Sequence, residues 1–238
     1  MRPTSRSSFV FKQFALRQDR CAMKVGTDGI LLGAWADVQG INQALDIGAG
    51  TGLVALMVAQ RAPCAEVMAL EIEAEAAAQA LENAEASPFR ERIRICPKAL
   101  QDWRPHADLD LIITNPPFFS AGIPPHNARK QQARHESSLK LGEILEFAAE
   151  HLQNLGRLAI VLPHRRREEL IEQGRRHGLH VSRICEVYSR PGKPAHRILA
   201  ELGFQPQTPK EESLLLREEN GDFSLAYQNL TRDFHPFL

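Results

Sequence analysis

Residues 43–53 read QALDIGAGTGL, and this stretch decides the fold. The first five residues form a mostly apolar run that predicts a core strand, and Gly48, Gly50 and Gly52 predict a tight turn. The apolar residues that follow have helical spacing, which predicts a helix over residues 53–60. A glycine-rich turn between a strand and a helix either binds a ligand against its backbone or only reverses the chain tightly.

Outward from this stretch, strand and helix patterns alternate along nearly the whole chain. Such alternation predicts an α/β fold, with a mostly parallel, seven-stranded sheet and helices on both faces. The turn-rich segment 190–194 is too short for a crossover helix, so the last two core strands should form an antiparallel hairpin. Strands are expected at 9–14, 43–47, 66–71, 92–96, 110–114, 158–162, 181–188 and 197–204. Helices are expected at 53–60, 73–85, 143–152 and 165–177, and Thr27 or Asp28 should cap a further helix that runs through 30–35. A short strand and a helix are expected within 213–234.

The charge of the chain is balanced in total but unevenly distributed. The formal net charge is zero, so composition alone implies no nucleic-acid partner. Residues 1–24 nevertheless carry six Lys or Arg against one acid, and 157–197 includes the arginine run 165–167. Such asymmetry is compatible with a basic face for a polyanion, or with helix-surface charge that meets no partner.

Composition also bounds the class of protein. The 238 residues suffice for one sizeable α/β domain, which we expect to span 1–238, with 1–40 as an N-terminal extension of the core. Four scattered cysteines and nine histidines show no metal-ligand spacing, so no metal is expected. No apolar run approaches 18 residues and no signal peptide is visible, so we expect a cytoplasmic protein without a membrane partner. A monomer is favoured.

A second signal follows the predicted strand 110–114, where residues 115–118 read NPPF. Two consecutive prolines cannot continue a strand, because each lacks a backbone N–H. The chain must open into a rigid loop that offers the amide of Asn115, the carbonyl of Pro116 and the ring of Phe118. A planar amine would find two hydrogen-bond acceptors and a stacking surface there. We predict that these three residues are catalytic, and that no general base is needed.

The glycine turn discriminates between two cofactor classes. A dinucleotide fingerprint requires G-x-G-x-x-G, whereas the spacing here is G-x-G-x-G, followed by Leu53. Asp46 would repel a pyrophosphate but attract the ammonium group of S-adenosylmethionine, which has no phosphate. Glu71 ends the next predicted strand and is placed to accept hydrogen bonds from ribose hydroxyls. We therefore predict an S-adenosylmethionine site formed by Asp46, Gly48, Gly50, Glu71 and Asn115.

These motifs resemble those of Rossmann-like class I methyltransferases, whose N-P-P-[FYW] motif acts on exocyclic amines of adenine or guanine or on a glutamine amide. Nearly the whole chain is also similar to bacterial tRNA1(Val) (adenine-37-N6)-methyltransferases. The similarity is carried by FKQF at 11–14, DRCAMKVGTDGILLGAW at 19–35, QAR at 132–134 and HRIL at 196–199.

The resemblance implies N6-methylation of an adenine beside the anticodon, with tRNA as the partner. It also implies that Lys24, Thr27 and Asp28 flank the cofactor. The chain departs from the family at one position. Members commonly have an acid after the third strand that holds the adenine of the cofactor, where this chain has Ala99.

Other functions share parts of this pattern. A glutamine-N5 protein methyltransferase uses the same planar-amide chemistry, and an rRNA guanine-N2 methyltransferase has the same acceptor motif. An RNA-binding or cofactor-sensing module would retain the fold without turnover, although the intact NPPF motif argues against it. A dehydrogenase is disfavoured by Leu53. The N-terminal motif and the local basic segments favour the tRNA enzyme.

Overall fold

The computed structural model describes residues 8–21, 24–117 and 140–236. Its helices are α1 (Thr27–Trp35), α2 (Leu53–Arg61), α3 (Ala74–Glu85), α4 (Leu141–His151), α5 (Arg167–Arg176) and α6 (Leu225–Thr231). Its strands are β1 (Ser8–Val10), β2 (Ala15–Arg17), β3 (Gln43–Ile47), β4 (Glu66–Leu70), β5 (Ile93–Cys96), β6 (Leu109–Thr114), β7 (Leu152–Pro163), β8 (His180–Tyr188), β9 (Ala195–Gly203) and β10 (Lys210–Leu215). Short 3-10 turns lie at Arg90–Arg92, Leu100–Asp102 and His164–Arg166.

Eight strands form one sheet in the order β10-β8-β9-β7-β6-β3-β4-β5. Strand β9 runs antiparallel to β7 and β8, and the other neighbouring pairs are parallel. The predicted α/β class and the antiparallel hairpin are therefore confirmed. The predicted count of seven strands is wrong, because β10 pairs in parallel with β8 at the sheet edge. The short strand expected within 213–234 begins earlier, at Lys210, where apolar periodicity gives little signal because Leu214 is the one fully buried residue of β10.

Apolar side chains pack against both faces of the sheet. Consecutive residues of β6 point to opposite faces, as strand geometry requires: Leu111 and Ile113 join the core cluster that includes α1 and α2, while Ile112 joins the cluster that includes α4 and α5. Burial on both faces explains why the central strands read as nearly continuous apolar runs.

The N-terminal segment differs from its prediction. A single strand was expected at 9–14, but β1 and β2 form a two-stranded hairpin. The N–H of Phe11 donates to the carbonyl of Phe14 at 2.8 Å, and the two buried rings stack with centroids 4.6 Å apart. A strand would direct residues three apart to opposite faces, so a turn is needed to bury both rings together.

The predicted cap of α1 is also wrong. Gly26 occupies the N-cap position and no side-chain cap is formed. Thr27 and Asp28 lie within the first turn instead. The carboxylate of Asp28 accepts a hydrogen bond from Arg197 Nε at 2.8 Å, so a tertiary ion pair replaces the local cap.

Close packing of α1 against α2 depends on Gly33. A Cβ at this position would lie 2.9 Å from Met57 Cβ and 2.7 Å from Met57 Sδ. We expect Gly33→Ala to lower the free energy of unfolding by roughly 1–2 kcal/mol, because overpacking outweighs the better helix propensity of alanine. Gly142→Ala in α4 is the control, since its Cβ would meet Gln173 Oε1 at an ordinary 3.7 Å. Urea unfolding measures both variants, and equal stabilities would contradict the close packing.

Candidate active site

The predicted site residues that the structure describes lie around the ends of β3 and β6. Ile47 and Thr114 end these two parallel strands in register, and Thr114 Oγ1 donates to the Ile47 carbonyl at 2.8 Å. The next strand after β3 in the chain, β4, and the next strand after β6, β7, lie on opposite sides of this central pair. Crevices at such switch points, beyond the carboxyl ends of the strands, are where open α/β sheets bind ligands.

The glycine turn between β3 and α2 exposes its backbone. Gly48 and Gly50 have φ angles of 74° and 56°, a left-handed conformation that side chains rarely adopt. The N–H groups of Gly48 and Ala49 both donate to the Leu70 carbonyl at 2.9 Å, which fixes the turn on β4. A Cβ at Gly48 or Gly50 would meet nothing within 4 Å, so open space lies directly above the turn.

Glu71 connects this turn to the residues that follow β4. Its Oε2 accepts from the Gly50 N–H at 2.8 Å, and its Oε1 accepts from the Glu73 N–H at 2.9 Å. The side chain is largely buried, yet it borders the open space above the glycines. The carboxylate therefore both fixes the turn and presents negative charge to a ligand.

Asp46 is buried in the protein, although its position before the glycine turn predicted a contact with the cofactor. It is 1% exposed, and its Oδ2 accepts from the Ala55 N–H in the first turn of α2 at 3.0 Å. Burial raises its pKa from 3.8 to about 7, against the opposing effect of the Ala55 hydrogen bond and with a further contribution from the charge of Glu71. Asp46 thus stabilises the start of α2 beneath the glycine turn.

This raised pKa makes stability depend on pH. Between about pH 4 and pH 7 the folded protein keeps a proton on Asp46 that the unfolded chain has released, so stability falls as the pH rises through this window. Asp46→Asn retains an oxygen for the Ala55 N–H and carries no charge. We expect the free energy of unfolding of the variant, relative to that of the unaltered protein, to rise from pH 4 to pH 7. Above pH 7 the difference should stay constant. Urea unfolding at stepped pH measures this difference, and a constant difference would contradict the assignment.

Two cavities meet at the end of β6. The glycine-side cavity, of about 510 Å³, is lined by Gly48, Gly50 and Glu71 together with residues that precede α1 or follow β4 and β5. Its described lining includes four carboxylates against two cations, which favours a positively charged ligand. These charged residues are Asp19, Glu71, Glu73, Glu75, Arg20 and Lys98.

The α1-side cavity, of about 670 Å³, lies on the other side of the same strand end. It contains Lys24, Thr27 and Asp28 from the start of α1, and residues from the ends of β7 and β9. These further lining residues are Gly26, Pro163, His164, Arg165, Ala195, His196, Arg197 and Leu216. Three of the predicted cofactor contacts are therefore across the strand end from Gly48 and Glu71.

Asn115 and Pro116 line both cavities. Pro116 is buried, Pro117 is exposed, and a Cβ on Gly29 of α1 would lie 3.8 Å from Asn115 Nδ2. Within the described parts of the chain the Asn115 amide has no hydrogen-bond partner, so its oxygen and nitrogen are available to a ligand. Phe118, the third predicted catalytic residue, lies outside the described residues.

Sequence comparison identifies relatives of the chain. The methyltransferase small domain model matches residues 26–174. Proteins named tRNA1(Val) (adenine(37)-N6)-methyltransferase from Klebsiella pneumoniae (strain 342) and Tolumonas auensis are 43% and 44% identical to the chain, over 98% and 96% of its length and 96% of their own. The chain belongs to this family of methyltransferases.

A solved structure agrees on the fold. A predicted O-methyltransferase from Agrobacterium tumefaciens superposes with a TM-score of 0.62 at 21% identity, covering 87% of this chain and 96% of the other. No described helix has the length and apolar character needed to cross a membrane. Within the described ranges, no group of three or more His, Cys, Asp or Glu is arranged to hold a metal ion.

The cofactor of this methyltransferase is S-adenosylmethionine, and the glycine-side cavity is chemically suited to it. The sulfonium and ammonium groups match the excess of carboxylates, and the open backbone at Gly48 and Gly50 leaves room for a ligand. Ala99, where the family resemblance implies an acid, lines the cavity and has no side-chain hydrogen-bond acceptor. Asp102 is not among the described lining residues, whereas Lys98 and Gln101 are.

Sequence reasoning missed several lining residues of this methyltransferase. Cys21, Ile72 and Gln101 border the glycine-side cavity, while His164 and Arg165 border the other. Cys21 lies inside the segment 19–35 and Arg165 inside the arginine run 165–167, but neither pattern assigns a single residue to a cavity. Ile72, Gln101 and His164 belong to no motif. The basic composition of 157–197 was the one available signal for Arg165.

Proposed function

We propose that the chain transfers a methyl group from S-adenosylmethionine to N6 of adenine 37 in tRNA1(Val). The observation that carries this proposal is the position of Asn115 and Pro116 between two cavities of opposite charge. One cavity suits a cationic methyl donor and the other suits a nucleotide. The relatives match the chain over nearly its full length, and their names support the choice of base and tRNA.

On the donor side, Gly48, Gly50 and Glu71 would hold the cofactor. Bound S-adenosylmethionine supplies an electrophilic methyl group. The glycine backbone allows close approach, and Glu71 offers its carboxylate to hydroxyl donors. Asp46 acts indirectly, by fixing the start of α2 beneath the turn.

On the acceptor side, Asn115 Oδ1 and the Pro116 carbonyl would accept the two N–H groups of the exocyclic amine. These hydrogen bonds turn the nitrogen toward sp³ geometry, so its lone pair becomes available for an in-line displacement. The protein contributes position and electrostatics, and the proton leaves to water after transfer. We also propose that Phe118 stacks on the base, a contact of roughly 1–3 kcal/mol.

Lys24, Thr27 and Asp28 were predicted to flank the cofactor. Their place in the α1-side cavity favours a role beside the acceptor nucleotide instead. An adenine in an anticodon loop is already single-stranded, so the cost of turning it into this cavity is modest.

The test is methyl transfer from labelled S-adenosylmethionine to tRNA from cells that lack this modification, followed by nucleoside analysis. We expect label in N6-methyladenosine of one tRNA. Label in N2-methylguanosine would overturn the substrate and retain the mechanism. Label in protein glutamine would favour the glutamine-N5 alternative, and cofactor binding without any transfer would favour a non-enzymatic role.

A further inference from the structure

The three arginines that follow β7 have different environments. Arg166 donates to Glu169 through Nε and Nη2 at 2.8 and 2.7 Å. Arg167 donates to Glu211 of β10 at 2.9 Å. Arg165 is exposed, lines the α1-side cavity and pairs with no other residue in the described parts of the chain. Two of these cations thus have structural partners, and one faces the cavity without a counter-charge.

Lys24 is the second such cation. It lies just before α1, is exposed, lines the same cavity as Arg165, and likewise has no ion pair with any described residue. Each of the two segments whose basic character is visible in the sequence therefore contributes a cation to this cavity, although 140 residues separate Lys24 from Arg165.

The cavity holds little negative charge to compensate these cations. Asp28 is the one carboxylate among its described lining residues, and Arg197 neutralises it at 2.8 Å. Glu186 approaches His164 from β8 at 3.0 Å, and Tyr188 donates its hydroxyl to the same carboxylate at 2.7 Å. Neither Asp28 nor Glu186 forms an ion pair with Lys24 or Arg165, so no described carboxylate neutralises these two cations by direct contact.

We infer that Arg165 and Lys24 bind backbone phosphates of the RNA on either side of the adenine that enters the α1-side cavity. This inference rests on the proposed function and adds the positioning contacts to it. Unpaired cations at the mouth of a base pocket suit phosphate, which fixes the register of a nucleic acid without reading its sequence. Recognition of the base is left to Asn115 and Pro116.

The test measures affinity for an unmodified tRNA1(Val) transcript over a series of salt concentrations. For Arg165→Gln and for Lys24→Gln we expect the slope of log K against log salt to fall by about 0.7 each, which corresponds to about fivefold weaker binding at 0.1 M salt. Arg165→Lys should retain most of the slope. The affinity for S-adenosylmethionine should not change in either variant.

Arg175→Gln is the matched control. Arg175 is an exposed cation of α5 that lies away from the α1-side cavity, so its removal changes net charge equally. The inference would be overturned if the slopes for Arg165→Gln and Lys24→Gln equalled the slope for this control. Loss of affinity for S-adenosylmethionine in Lys24→Gln would also overturn it. Binding is measured without turnover. If the protein transfers methyl groups to the tRNA but the two variants have unaltered salt slopes, only this inference is refuted. If the variants have reduced slopes but the protein transfers no methyl group, only the proposed function is refuted.

Discussion

Replacing Asn115 with alanine is expected to lower the turnover number at least about 100-fold, the effect of removing one preorganised hydrogen-bonding group from a reacting centre. The side chain lies at the end of β6, borders both cavities and has no hydrogen-bond partner within the described ranges. Its oxygen is therefore available to the acceptor amine. Single-turnover methyl transfer with labelled cofactor measures the change.

Cofactor affinity distinguishes the two roles that the position of Asn115 allows. If the amide acts on the acceptor, the dissociation constant of S-adenosylmethionine stays nearly constant in Asn115→Ala. A parallel loss of cofactor affinity would place its main role on the donor side. Asn220→Ala is the control, because Asn220 is exposed in the turn near Asp222 and lies far from β6 in sequence.

Glu71→Gln should weaken binding of S-adenosylmethionine by roughly 10- to 100-fold, since hydrogen bonds to a charged group contribute about 1.5–3 kcal/mol. The carboxylate accepts from both the Gly50 and Glu73 N–H groups. An amide has one accepting oxygen, so one of these bonds is lost together with the negative charge. Calorimetric titration of the cofactor measures the effect.

Glu75→Gln separates charge from geometry. Glu75 lines the same cavity and is exposed, and it has no hydrogen bond to the glycine turn. We expect a much smaller change than for Glu71→Gln. Equal effects would mean that Glu71 acts through its charge alone, and an unchanged dissociation constant in Glu71→Gln would remove it from the cofactor site.

The parts of the site that the sequence predicted are local in the chain. The turn at Gly48 and Gly50 follows from three glycines after an apolar strand, and the loop at Asn115 follows from two prolines that end β6. Both motifs are set by backbone constraints within a few residues. The predictions that were wrong depended on distant partners: Asp28 pairs with Arg197 rather than capping α1, and β10 is held by β8 despite a weak apolar pattern.

The sequence by itself determined the α/β class, the glycine turn and the acceptor loop, because each depends on backbone conformation and on the spacing of neighbouring side chains. Which of the two acids borders the cavity depends on the tertiary structure. Asp46 is buried against α2, whereas Glu71 borders the cavity, and that difference arises from the packing of a helix on the sheet. The tertiary structure also brought Lys24 and Arg165 to one cavity, since strand order, which no local pattern encodes, places the ends of β6, β7 and β9 beside α1.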